Sequence, residues 1–155
     1  MKSIDLCGAE MPSPKINEST QREWRELGFF YERNDEAKEW RLQGSKIGLR
    51  RFSAAMRAYA GKPENELVSE HEHFGPYMYL ELGTWQHSEI TAHWIAGPLE
   101  EIAALADTMD ICLSSASVGD CIFLRAAFAP TAPYELVLEV RDDTFDPATA
   151  DTECW

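Results

Sequence analysis

The sequence predicts an α+β domain: one antiparallel sheet with two main helices packed on one face, in the order ββαββαββ. Three observations predict it. Two segments place apolar residues at helical spacing, several short segments alternate as strands do, and a strand-Gly-helix unit recurs at an offset of 53 residues. A chain of 155 residues that is 45% hydrophobic is sized for one core, so residues 1–155 are expected to form a single domain.

Residues 1–16, with Pro12 and Pro14 and little periodicity, are expected to be an irregular lead-in. Thr20 to Glu23 has the Thr-x-x-Glu spacing of a capping box, which predicts a brief helix carrying Trp24 and Leu27 and stopping at Gly28. Residues 29–33 and 37–42 are extended in pattern around the turn-forming Asn34-Asp35-Glu36, a hairpin. Gly44-Ser45 opens a helix whose stripe is Leu49, Phe52, Met56 and Tyr59 and whose stop is Gly61.

Residues 62–75 are a polar, acid-rich connection. Residues 77–84 alternate as a half-buried strand, with Met78, Leu80 and Leu82 inward, and residues 90–96 return beside it after a turn near residue 87. Gly97-Pro98 starts a second helix with Glu100 and Glu101 at its positive end and a stripe of Leu99, Ile102, Ala106, Met109 and Cys112. Residues 121–128 and 134–141 form the last two strands, and residues 142–155 an acidic tail. The 53-residue offset pairs Leu42 with Ile95, Gly44 with Gly97, Leu49 with Ile102 and Met56 with Met109.

Charge carries most of the functional information. Lys plus Arg number 14 against 27 Asp plus Glu, a net of −13, which repels phosphate backbones and serves either solubility alone or the recognition of a basic partner. Nucleic acid is therefore not an expected ligand. Residues 1–62 hold 12 basic and 9 acidic side chains, a net of +3, whereas residues 63–155 hold 2 and 18, a net of −16. No run nears the roughly 18 apolar residues of a membrane span, and no export signal is visible, so a cytoplasmic protein with no membrane partner is expected. Cys7, Cys112, Cys121 and Cys154 form no CxxC pair; reduced thiols are expected, with Cys112 and Cys121 as small core residues.

His71, His73, His87 and His93 all lie within 23 residues. If residues 77–84 and 90–96 pair around residue 87, His93 faces residue 82 and stands far from His73, so one site cannot use all four. His71 and His73 alone can share a strand face with a carboxylate from elsewhere, which leaves a metal-dependent enzyme as one alternative. The expectation set against it is a protein with no cofactor and no stoichiometric transition metal. Glu64 with Glu66, and Glu70 with Glu72, lie in a polar segment where nothing separates their pKa values, so they read as a solvated acidic surface rather than an acid-base pair. Ser69 lacks a nucleophile-elbow context, and no phosphate-binding loop is present. Tyr77, Tyr79, Trp85 and Trp94 beside these acids read mostly as core or sheet-face packing, yet tyrosine and tryptophan next to carboxylates are also the composition of a protein-binding hot spot.

The run from His73 to Glu81 (HFGPYMYLE), followed by Thr84-Trp85, by Ile95-x-Gly97-x-Leu99-Glu100 and by Pro133 to Leu138 (PYELVL), resembles a family of small uncharacterised bacterial proteins over about residues 27–148. By size and acidity these are similar to the immunity proteins of polymorphic and contact-dependent toxin systems. The resemblance implies a cytosolic, non-enzymatic binder that blocks a basic toxin domain, and it carries over no catalytic residue. The partner surface expected from the residues themselves comprises Glu64, Glu66, Glu70 and Glu72 as steering charges and Tyr77, Tyr79 or Trp85 as anchors. A regulatory or structural binding module is the other alternative.

Overall fold

The computed structural model describes residues 14–154. Its elements are α1 (Pro14–Leu27), β1 (Phe29–Asn34), β2 (Glu39–Gly44), α2 (Lys46–Ala60), β3 (His71–Phe74), β4 (Leu80–Thr84), β5 (Glu89–Ile90), β6 (Ile95–Gly97), α3 (Leu99–Ser115), β7 (Cys121–Phe123), the single-turn α4 (Arg125–Phe128) and β8 (Glu135–Val140). The α+β class is as predicted, but the sheet is not one sheet and is not purely antiparallel. The order is β1-β2-β8-β7 in the first sheet and β3-β4-β6-β5 in the second, with β2 parallel to β8 and β4 parallel to β6.

The internal repeat explains that topology. The chain reads as two ββαββ units, β1-β2-α2-β3-β4 and β5-β6-α3-β7-β8, and each sheet joins the first hairpin of one unit to the second hairpin of the other. Gly44 pairs with Val140 where β2 ends, and Gly97 pairs with Thr84 at the equivalent end of β6. All eight residues matched by the 53-residue offset are buried. The exchange places α2 against α3, so one core runs through both units.

Local physics accounts for the elements. Asn34 Oδ1 accepts from the amides of Glu36 and Ala37 at 3.0 and 2.9 Å, closing the β1-β2 turn. Ser45 caps α2 through the amide of Gly48 at 3.0 Å, and Leu49, Phe52, Met56 and Tyr59 are buried as their spacing predicts. Along α3 the buried stripe is Ile102, Leu105, Ala106, Met109 and Leu113, while Cys112 is half-buried and Cys121 exposed, so neither thiol is a core residue. No helix among the described residues is long and apolar enough to cross a membrane.

Several expectations are corrected. The first helix starts at Pro14, at the edge of the expected lead-in, because proline's missing N–H costs nothing in a first turn; Thr20 lies inside the helix rather than capping it. Residues 1–13, with Cys7, and Trp155 lie outside the described residues. The polar connection contains strand β3, and residues 76–78 form a 3₁₀ turn instead of opening a strand. Residues 90–96 are interrupted because Thr91 Oγ1 accepts from the amides of His93 and Trp94, so Ile95, not His93, is paired with Leu82. The strand expected over 121–128 ends at Phe123 and passes into α4. The acidic tail is docked against α1 and β1 as two 3₁₀ turns, Pro147–Ala150 and Thr152–Cys154, with Ala148, Asp151 and Cys154 buried.

Candidate protein-binding surface

The segment that links α2 to β4 is fixed from beneath by polar groups. Tyr59 reaches out of α2, donates to the carbonyl of Glu70 at 2.8 Å and lies 2.7 Å from Thr84 Oγ1. Asn65, buried inside the 3₁₀ turn Pro63–Glu66, donates to the Tyr59 carbonyl at 2.9 Å, while Thr84 Oγ1 donates to the Asn65 carbonyl at 2.6 Å. With these partners made, a segment of polar composition is held as firmly as an element. Glu64, Glu66 and Glu70 are exposed on its outside. Glu72 points to the other side of β3, near Phe74, and approaches Lys62 at 3.9 Å.

After β3 the chain turns sharply. Gly75 has φ 76, and a Cβ there would stand 2.7 Å from Leu27 Cδ2 and 2.9 Å from Tyr31 Cε2, so both conformation and close approach require glycine. Tyr77 and Met78 follow at φ 66 and 58, two consecutive left-handed residues without glycine's freedom. Such residues cost on the order of 1–3 kcal/mol each and persist only where neighbours hold them. Tyr31 supplies one hold: its hydroxyl donates to the Pro76 carbonyl and accepts from the Tyr79 amide at 3.2 Å. Burial pushes the Tyr31 hydroxyl up to about 12, so it stays protonated.

Asp151 supplies the other hold. It is 6% exposed, and its Oδ2 accepts from Trp24 Nε1 at 2.8 Å, Tyr77 Oη at 2.6 Å and Cys154 Sγ at 3.3 Å, while Oδ1 accepts from the Glu153 amide at 3.0 Å. Burial alone raises its carboxyl; the hydrogen bonds from Tyr77, Trp24, Cys154 and Glu153 outweigh that and hold it below the usual carboxylate range. Burial beside this carboxylate pushes the Cys154 thiol up to about 12. One side chain of the expected tail thus ties α1, the C-terminal turns and the Tyr77 turn together.

The outcome is a cleft of about 700 Å³ walled by Trp24, Tyr31, Trp40, Tyr77 and Tyr79, with Glu32 and Glu153 also lining it. Tyr77, Met78 and Tyr79 are 47%, 59% and 68% exposed beside it. Trp85, the third expected anchor, lies elsewhere: it is half-buried against Trp94 and lines a second cleft with Glu66, Val68 and Leu99. The predicted residues therefore divide into Tyr77 with Tyr79 and Trp85 with Glu66. Sequence reasoning missed Trp24, Tyr31, Asn65 and Asp151. Trp24 was visible as an apolar helix residue, but nothing distinguishes Asp151 from the other acids around it until the fold buries it.

The charge split along the chain is not a split in space. Arg25 pairs with Asp146, Arg41 with Glu139, and Arg57 with Asp107 and Asp110, so cations of the first part neutralise acids of the second. Among the described residues no lysine or arginine pairs with Glu64, Glu66 or Glu70. These three, rather than the whole −16 half, are the uncompensated acids of the expected surface. Compared with family models, with curated proteins and with solved structures, the chain matches none.

Proposed function

We propose that this chain is a non-enzymatic acidic binding protein of the immunity type, which inhibits a basic toxin domain by docking it on the Tyr77–Tyr79 turn, with the acidic segment at the other end of the β3-β4 hairpin steering it. One observation carries the reading. Tyr77 and Met78 have a left-handed backbone, at a cost in strain that the Tyr31 and Asp151 hydrogen bonds offset, and with Tyr79 they stay exposed. Rigidly presented tyrosines lose little side-chain entropy on binding and are typical anchors, while Glu64, Glu66 and Glu70 steer a basic surface toward them. Asp151, a buried carboxylate lining the cleft, spends its acceptors on structural partners, which favours docking over acid-base chemistry there.

The test is protection. A basic partner domain captured by the chain from its native host, expressed with and without the chain, is expected to be lethal alone and harmless when the chain is present, with a stable complex on gel filtration. A chain that neither protects nor forms that complex refutes the proposal.

A further inference from the structure

The outer face of β3 carries His71 and His73, two residues apart and therefore on one side of the strand. Across the antiparallel ladder, the partner of His73 is Glu81 of β4. One ligating atom from each of the three lies within 4.8 Å of those of the other two. The two imidazoles stand 5.2 Å apart, and His73 Nδ1 is 3.7 Å from a Glu81 carboxylate oxygen.

Both rings are already oriented. His71 Nδ1 lies 3.1 Å from the Ser69 carbonyl and His73 Nδ1 lies 2.9 Å from the Met78 carbonyl. A carbonyl only accepts, so in each neutral ring Nδ1 holds the proton and Nε2 keeps a lone pair. Imidazoles that bind metal are commonly oriented by this kind of backbone contact. Both carbonyls come from left-handed residues, Ser69 at φ 83 and Met78 at φ 58, which the backbone does not adopt without something to hold it there.

The geometry points to a site for one divalent transition ion, held by His71, His73 and Glu81 on the exposed face of β3 and β4. Two imidazoles and one carboxylate suit zinc and its neighbours in the first transition row better than calcium or magnesium. With bonds of about 2.0–2.1 Å, ligand atoms around a tetrahedral zinc stand about 3.3 Å apart, closer than the 4.8 Å span of the cluster, so the side chains close in on the ion to bind it. His71 and His73 are exposed and Glu81 is half-buried, which leaves the two rings room to adjust. The expectation of a metal-free protein rested on the separation of four histidines; β3-β4 pairing supplies the carboxylate that the pair alone lacked.

The probe is zinc chloride, titrated calorimetrically into chelator-treated, tag-free protein. The expected result is one zinc per chain, with affinity reduced at least about tenfold in His71→Ala, His73→Ala and Glu81→Gln and unchanged in His87→Ala, whose ring sits by Glu89 instead. Absence of saturable binding, or binding that survives in the His71→Ala, His73→Ala double variant, overturns the assignment. Imidazole NMR of the unsubstituted chain gives a readout free of folding effects. Zinc is expected to shift the rings of His71 and His73 among the four histidines, and shifts confined to His87 or His93 overturn it as well.

Discussion

Replacing Asp151 by alanine removes the acceptor on which three elements converge. Trp24, 1% exposed, would keep its indole N–H in a place water hardly reaches, and an unsatisfied buried donor costs about 1–3 kcal/mol. The Tyr77 hydroxyl, on a half-exposed side chain, can turn to water, so its loss adds about 1 kcal/mol or less. The amide of Glu153 loses a cap contact worth about 1 kcal/mol. The expected total is about 3 kcal/mol, a large share of the roughly 5–15 kcal/mol by which a domain is stable. Urea unfolding at pH 7, followed by tryptophan fluorescence, measures it. Acid adds a second signature. Because the folded Asp151 carboxyl lies below its unfolded value near 4, its stabilisation is complete above about pH 4 and is lost as pH falls through the folded value. The gap between native chain and variant should therefore narrow below pH 4; the other depressed carboxyls, among them Asp35, Asp110, Asp142 and Asp146, are common to both proteins and cancel. A cost under about 1 kcal/mol at pH 7, or a gap that stays constant into acid, would refute the reasoning.

Gly48→Ala should destabilise by about 3 kcal/mol or more despite alanine's better helix propensity, because its Cβ would lie 2.0 Å from the backbone carbonyl oxygen of Gly28; thermal unfolding checks the sign. Tyr59→Phe keeps the ring in the core and removes the hydroxyl that holds Glu70 and Thr84, costing about 1–2 kcal/mol. Hydrogen exchange should then accelerate at the Ser69 and Thr84 amides while the centre of α2 stays protected.

Legibility in the sequence followed how local each feature is. The stripes of α2 and α3 depend on spacing within one segment, and their stops and starts on single residues such as Ser45 and Gly61, so both helices could be read directly. β3 could not: His71-Glu72-His73-Phe74 offers one apolar residue, and it is a strand because Leu80–Gly83 lies alongside to pair with it. Residues 77–79 mimic a strand in their alternation, and Gly75-Pro76 was the turn signal that outranked it. The 53-residue repeat was readable, but the exchange of second hairpins between units was not, since parallel pairing of β2 with β8 leaves no mark within either strand. Of the site, the exposed glutamates and Tyr77 and Tyr79 were legible as composition. The cleft itself needed Trp24, Tyr31 and Asp151, drawn from distant parts of the chain.

The most direct test of the proposed docking surface is the rate of association between this chain and the basic partner domain that it captures from its native host, measured by stopped flow across a range of salt. Glu66→Gln with Glu70→Gln removes two acids that no cation in the described residues neutralises. The pair should slow association and flatten its salt dependence, while Tyr79→Ala should leave association nearly unchanged and speed dissociation by about thirtyfold, equivalent to about 2 kcal/mol. An association rate indifferent to salt and to both glutamates, together with a dissociation rate indifferent to Tyr79, would contradict the account.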